Sequence, residues 1–422
     1  MNASNIHIPK LRLGKWEIDL FPFWLALLAA GIIFGLYGAF TVLRDGLQVT
    51  GLSNQVPWGL WISVDLSAIS LGGSAFVFGV IVYLLRVKRF EAVGKLAVLL
   101  GFLGYSTAGM ILLFDLGQPL RFWHPVVFWQ AHSLLWEVTM CVVLYLTVLM
   151  AELVPVVLEH AIFKEHPWLK RFPILGKAAD LLQKLAHWLH TVGPFLAILG
   201  LTLSLLHQAS LGATYSVLAG RGMWYNQSAP VQFVISAMGG GTALLFFMSV
   251  IIFRVMRPGL VKDETLYDVA RLAGGAMLLF IYLRMWDWAV ANYYSFDRLV
   301  DLQTKALDSV APFSLSFWLG QILLPLIGSA ILLSAGKIRN FKVLMFAAIF
   351  VIFAAVLVRW NYNFSGLIAS ISYDPFTPSI RINNYIPTTI EFAVATLVIS
   401  YWLLMFSLAA RFLPFGSHDN HH

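Results

Sequence analysis

Nine ionisable residues interrupt stretches that are otherwise apolar: Asp65, Asp115, His132, Glu137, His207, Arg284, Asp287, Arg359 and Glu391. A charge inside a lipid-spanning helix costs about 2.5–3.5 kcal/mol on insertion scales, so each calls for a reason. One of them closes the run LLHQASLGA (205–213), where His207 and Gln208 are followed by Ser210 and Gly212. Such groups suit the chemistry of a quinone. Oxidising a quinol removes two electrons and two protons, which requires donors to the ring oxygens, a base tuned by burial, and a relay for the protons. His132, Glu137 and Asp65 read as base and relay. His207 and Gln208 read as partners of a ring oxygen, with the small residues after them leaving room for a head group.

The elements that must position these groups follow from composition. The 422 residues are 59% hydrophobic and 12% charged, against about 25% charged in a soluble chain. Apolar stretches long enough to cross a bilayer, roughly 20 residues each, run 20–43, 58–85, 96–116, 125–154, 189–207, 231–253, 272–292, 313–335, 342–362 and 387–410. They predict an all-α integral membrane protein of ten spans in a single polytopic domain, 1–422. The first run has span length and no small-residue cleavage site after it, so it reads as a helix and not as a cleaved signal. Twenty of the 28 lysines and arginines fall on the side that carries both termini, six on the other, and two, Arg284 and Arg359, within spans. The positive-inside rule then predicts cytoplasmic termini and a multi-pass protein of the inner membrane. The net charge of +7 reflects this topology and gives no reason to expect nucleic-acid binding.

With that orientation all nine groups belong to the outer half. Asp65 is about two turns into the second span and Glu137 about three turns into the fourth, with His132 above it. Asp115 and His207 close the third and fifth spans, Arg359 closes the ninth, and Glu391 opens the tenth. Other readings exist for several of them. Asp115 could bridge to Arg121, Arg284 could neutralise Asp287 three residues on, and Arg359 could pair with Glu391. Tryptophans 58, 61, 123, 129, 136, 224, 286, 288, 318 and 360 crowd the same level and also fit an interfacial belt. Glu137 and Asp65, lying deepest, are the hardest to assign to structure alone.

Cys141 is the single cysteine, so the chain can hold no iron–sulfur cluster of its own, which usually takes four thiolates. No metal site is expected. The segment GKAADLLQKLAHWLHTVG sets Leu181, Leu182, Leu185 and Leu189 against Lys177, Lys184 and His187; it either lies in the interface or extends the fifth helix. The clusters LGGSAFVFG and AMGGGTALL read as close helix packing. Two further functions are open at this point. A secondary transporter would place its site at the midplane on broken helices, and a b-type cytochrome would use His132 and His207 as haem ligands.

Five motifs in order, VPWGLWISVDLSA (56–68), DLGQPLRFWHP (115–125), HQASLGA (207–213), RWN (359–361) and YIPTTIEF (385–392), resemble the NrfD/polysulfide-reductase membrane-subunit family. The resemblance is closest to the ten-helix branch found with hydrogenase and other respiratory complexes. It implies two four-helix bundles with flanking helices, and a haem-free anchor that binds a quinone, menaquinone first among them. It also implies an iron–sulfur subunit on the outer face and a further catalytic or cytochrome c subunit. By motif it assigns quinone-binding roles to His207, Gln208, Asp115, Arg359 and Glu391 and a catalytic one to Asp65. His132 and Glu137 enter as catalytic candidates from their depth.

Overall fold

In the computed structural model, residues 10–13, 16–158, 173–218, 221, 224–293, 313–372, 379–413 and 415 are described. Among the described residues ten helices are long and apolar enough to cross a membrane: α1 Phe21–Val49, α2 Leu60–Leu84, α3 Lys88–Asp115, α4 Leu134–Leu158, α5 Gly193–Ser216, α6 Ala229–Met256, α7 Asp263–Val290, α8 Phe313–Leu333, α9 Phe341–Ile368 and α10 Thr389–Phe412. The expected spans are all present, and the protein is a multi-pass integral membrane protein. Two short antiparallel hairpins, β1 (Lys10–Leu13) with β2 (Trp16–Asp19) and β3 (Ala369–Ser372) with β4 (Ser379–Ile382), are the strands among the described residues.

Several boundaries differ from the sequence reading, each for a physical reason. The fifth helix does not stop at residue 207 but runs on to Ser216. Its polar residues past His207 are buried against neighbours, where hydropathy underrates them. The fourth begins at Leu134 and not near 125. Pro125 sits at the start of a separate four-residue helix, His124–Val127, and a turn from Gln130 to Ser133 precedes α4. Glu137 is therefore in the first turn of α4, and His132 lies outside it. The ninth helix continues to Ile368, which moves Arg359 from its end to its interior.

The helices pack in two closed sequences. α2 packs on α3, α3 on α4, α4 on α5, and α5 returns to α2; α6 through α9 close in the same way. α2 joins the two sets through α6 and α9, while α1 lies along α10. Small residues set the closest approaches. A Cβ at Gly73 would stand 2.8 Å from the Ala237 carbonyl oxygen, and one at Gly104 2.6 Å from that of Ala68. Both glycine clusters are thus packing surfaces, as expected.

α2 pays for its proximity to α6 with a break: it is helical from Leu60 to Leu71 and again from Ser74. The Gly73 N–H turns to the Ser70 carbonyl, 3.1 Å away, and so leaves the Ile69 carbonyl without its intrahelical donor. In lipid such a group must find another partner within the protein.

Side chains tie the loops at each end of the helices. At one end, Trp224 Nε1 donates to the Tyr362 carbonyl at 2.6 Å and Arg221 to that of Gly366 at 2.6 Å. At the other, Arg257 donates to the carbonyls of Leu413 (2.6 Å) and Ala410 (3.0 Å), and Arg89 pairs with Asp268 at 2.8 Å.

The seam between α1 and α10 is lined by Gly31, Gly35 and Gly38; a Cβ at Gly35 would stand 2.6 Å from Leu397 Cα. Gly35→Val is expected to lose about 1–3 kcal/mol by overpacking, read as a lower midpoint of thermal unfolding. Gly79→Ala, whose Cβ meets nothing within 4 Å, serves as the control and leaves the midpoint in place.

Candidate functional site

The unpaired Ile69 carbonyl is where the site begins. Gln208, reaching across from α5, donates its Nε2 to that oxygen at 3.1 Å. Its own Oε1 accepts from Arg359 Nη2 of α9 at 3.2 Å. Arg359 Nη2 donates in addition to the Phe233 carbonyl at 2.7 Å, and the guanidinium lies over the Phe233 ring, 3.8 Å from its centroid. One amide thus links three helices across both helix sets. Arg359 is wholly buried, and its Nε and Nη1 have no partner among the described residues. It does not pair with Glu391.

His207 precedes Gln208 and is also wholly buried. The Val138 backbone stands near it, yet neither ring nitrogen makes a hydrogen bond of good geometry. Tyr105 packs beside it with ring centroids 5.4 Å apart, and Tyr145 stands edge-on to Tyr105 at 4.6 Å. Tyr105 does not stand out in the sequence; the structure brings it to His207. One turn beyond His207, Ser210 donates to Glu137 Oε1 at 2.7 Å, tying α5 to α4. The small residues that follow do not leave room for a ligand. A Cβ at Gly212 would stand 2.6 Å from Pro230 Cα, so they admit the start of α6.

The three acids form a series. Asp65, 4% exposed, lies within electrostatic range of Tyr105, Tyr215 and Asp115, and Asp115 within range of Glu391. Asp65 Oδ1 and Asp115 Oδ1 have no partner among the described residues, and Asp115 makes no ion pair with Arg121. Glu391, in contrast, is fully engaged. Its Oε2 accepts from the backbone N–H groups of Gly51 (2.7 Å) and Thr388 (2.9 Å), and its Oε1 accepts from the Tyr385 hydroxyl. With Thr388 it forms the capping box of α10, which satisfies helix-end donors reciprocally. Its backbone carbonyl takes the Trp61 indole N–H at 3.0 Å. Glu391 therefore holds the 46–60 loop to α10.

Of the remaining candidates, His132 is exposed in the turn before α4 and joins no cluster. Arg284 and Asp287 do pair, at 3.2 Å. Asn226 (2.7 Å), Ser228 (3.1 Å) and, through Arg284, Gln232 and Tyr362 complete a half-buried network around them. Sequence reading missed Tyr215, Asn363 and Tyr385. Asn363 donates to Ser63 Oγ at 3.0 Å and accepts from the Tyr215 hydroxyl at 3.3 Å. Its signal was present: Tyr362 and Asn363 follow Arg359 by three and four positions, on one helix face. Among the described residues no group of three or more His, Cys, Asp or Glu side chains could hold a metal ion.

Comparison with known proteins adds an independent line. The family described as "Polysulphide reductase, NrfD" matches residues 48–369. The chain is 30% identical over 415 residues to the integral membrane subunit of menaquinone reductase from Nitratidesulfovibrio vulgaris, covering 95% of this chain and 93% of that one. It is 25% identical over 402 residues to one of the selenate reductase subunits of Mesobacillus selenatarsenatis, covering 90% and 91%. To the probable Ni/Fe-hydrogenase 2 b-type cytochrome subunit of Escherichia coli it is 23% identical over 384 residues, covering 87% and 85%.

The Tyr385 hydroxyl accepts from the Leu60 N–H at 2.7 Å while donating to Glu391. Burial, and after it the bond to Glu391, raise its pKa above the usual tyrosine value, so it stays a neutral donor. Tyr385→Phe should cost about 1–3 kcal/mol by leaving both partners unmet, seen in thermal unfolding. The sign with pH follows. The unfolded phenol loses its proton first, so this contribution is complete below about pH 10 and lost as pH rises beyond it. The phenylalanine variant should lack that alkaline decline.

Proposed function

The chain belongs to the NrfD polysulphide reductase family, and on that premise we propose that it is the quinone-reactive membrane subunit of a respiratory oxidoreductase. In this reading it exchanges electrons between a quinone pool, menaquinone first, and an iron–sulfur subunit on the outer face, with a further catalytic or cytochrome c subunit beyond. It is not active alone. Both termini lie in the cytoplasm, since the lysine and arginine bias favours that side. The two closed helix sequences are read as two four-helix bundles flanked by α1 and α10.

The observation that carries the proposal is a concentration of buried polar atoms without partners: both nitrogens of His207, Nε and Nη1 of Arg359, and Oδ1 of Asp65. Buried polar groups are otherwise nearly always paired. An acceptor-bearing ring beside them would satisfy the donors, so the donor set fits a quinone. When bound, a quinone supplies the exchange of two electrons and two protons. His207 would hold one ring oxygen. Arg359, fixed by Gln208 and the Phe233 carbonyl, would supply a positive field toward the same space. Asp65 would take or give the proton, with Asp115 next in the relay toward the outer face. Glu137, held by Ser210, is a second proton carrier one turn from His207. Glu391 acts by position, keeping the loop over Asp115 in place. His132 has no role in this scheme beyond the surface.

The rival readings lose support. The break in α2 would suit a transporter, but its freed carbonyl is already capped by Gln208. A haem clamped by His132 and His207 would need both rings in one environment, and one is exposed while the other is fully buried.

Titration with a fluorescent quinol analogue should give saturable quenching, displaced by menaquinone, in the intact complex. His207→Ala should weaken that binding roughly tenfold, the equivalent of one buried hydrogen bond at about 1–1.5 kcal/mol; unchanged affinity would remove His207 from the site. Glu137→Gln should slow quinol turnover by about 10²-fold or more while the complex still assembles. Full turnover in that variant would exclude Glu137 as a proton carrier.

A further inference from the structure

A separate helix, Pro173–Thr191, precedes α5 and packs against α4. Gly193 and Pro194 follow it, and proline removes an N–H from the ladder, so the two helices can bend apart. α5 has 24 residues, about 36 Å at 1.5 Å per residue, which already covers a hydrocarbon core of about 30 Å. The 173–191 helix therefore belongs at headgroup level and not in the core.

At 3.6 residues per turn, Leu182, Ala186 and Leu189 share one stripe, which turns into the protein toward its end: Leu182 is 40% exposed and Leu189 8%. The neighbouring stripe is Leu181, Leu185 and Trp188, exposed by 68%, 42% and 58%. Opposite these lie Gln183, His187 and Thr191, and Lys184 stands on the border between the polar arc and the exposed apolar stripe. A lysine at such a border can rest its stem on apolar surface and raise its ammonium to the headgroups, and an indole prefers the same depth. Twenty of the chain's 28 lysines and arginines fall on this side by the count above, among them Arg254, Arg257, Lys262 and Lys337.

We infer that the 173–191 helix lies in the lipid–water interface and binds an anionic phospholipid, with acyl chains on Leu181 and Leu185 and the phosphate at Lys184 beside Trp188. Charge complementarity selects the anionic lipid. The exposed apolar stripe between a packed stripe and a polar arc selects a membrane surface over a protein groove.

The test uses the full chain with Cys141→Ala, its single cysteine removed, and a nitroxide at either Leu181→Cys or Gln183→Cys. Each is reconstituted in nanodiscs of phosphatidylcholine with or without phosphatidylglycerol, and kept only where it stays monodisperse with an unchanged midpoint of thermal unfolding. The label at 181 should relax with dissolved oxygen and the label at 183 with an aqueous nickel chelate. Co-purified phosphatidylglycerol, read by native mass spectrometry, should fall roughly fivefold in Lys184→Glu, as expected for about 1 kcal/mol per basic group at an anionic surface. A label at 181 reached by nickel would show a water-exposed helix and overturn the inference. One shielded from both reagents would show a protein partner or a second copy there and overturn it equally. Lipid retention unchanged in Lys184→Glu would remove the headgroup site.

Discussion

One freed carbonyl organises the centre of the molecule. Gly73 lets α2 approach α6, and the Ile69 oxygen is released by the turn this requires. Within a bilayer no water is at hand to satisfy it, so Gln208 must. With its nitrogen committed there, the Gln208 oxygen faces α9 and receives Arg359. The position of the one wholly buried guanidinium among the described residues is thus set by a backbone defect on a different helix. His207, adjacent in sequence to Gln208, is oriented by the same anchor.

The arrangement is costly, and the cost explains where the polar groups gather. Arg359 has no carboxylate within ion-pair range among the described residues, and a buried charge of this kind is expensive unless hydrogen-bonded and paired. It is offset in part by two carbonyl-type acceptors and by the face of Phe233, a cation–π contact worth about 2 kcal/mol when desolvated. The hydroxyls of Tyr362, Tyr215 and Tyr105 surround it at longer range. Such a centre is held in place by the packing of the surrounding helices and not by its own complementarity. Ionisable groups inside membrane helices are rare, and they face the bundle interior as these do.

Much of this was legible in the sequence, and the gaps share a cause. The ten spans follow from composition because lipid tolerates only such runs. Their ends do not, because hydropathy measures preference for lipid and not helicity. α5 continues through Gln208, Ser210 and Ser216, all buried by neighbouring helices, while the apolar 125–133 stretch that reads as span is broken by Pro125 and a turn. Asp65, Asp115, His207, Gln208 and Arg359 were found because a charge or amide in an apolar run is conspicuous. Tyr215, Tyr385 and Asn363 were missed because they look like ordinary belt or loop residues. Trp224 sorts by sequence with the interfacial tryptophans, yet it is 2% exposed and bonded to a backbone carbonyl. No pattern in one sequence distinguishes a tryptophan facing lipid from one stacked, as Trp224 is, on Trp58.

The glycine seam also has a bearing on how the protein is made. α1 finds its main mate in α10, and the Trp24 indole reaches Ser407 Oγ at 3.0 Å across 383 residues of sequence. At a synthesis rate of about 5–20 residues per second, α1 waits roughly 20–80 s for its partner. Throughout that interval its row of glycines faces lipid, which fills the groove poorly, or the insertion machinery. The bare seam distinguishes a chain whose tenth helix has not yet arrived from a finished one, and so offers cellular quality control a readable mark of incompleteness.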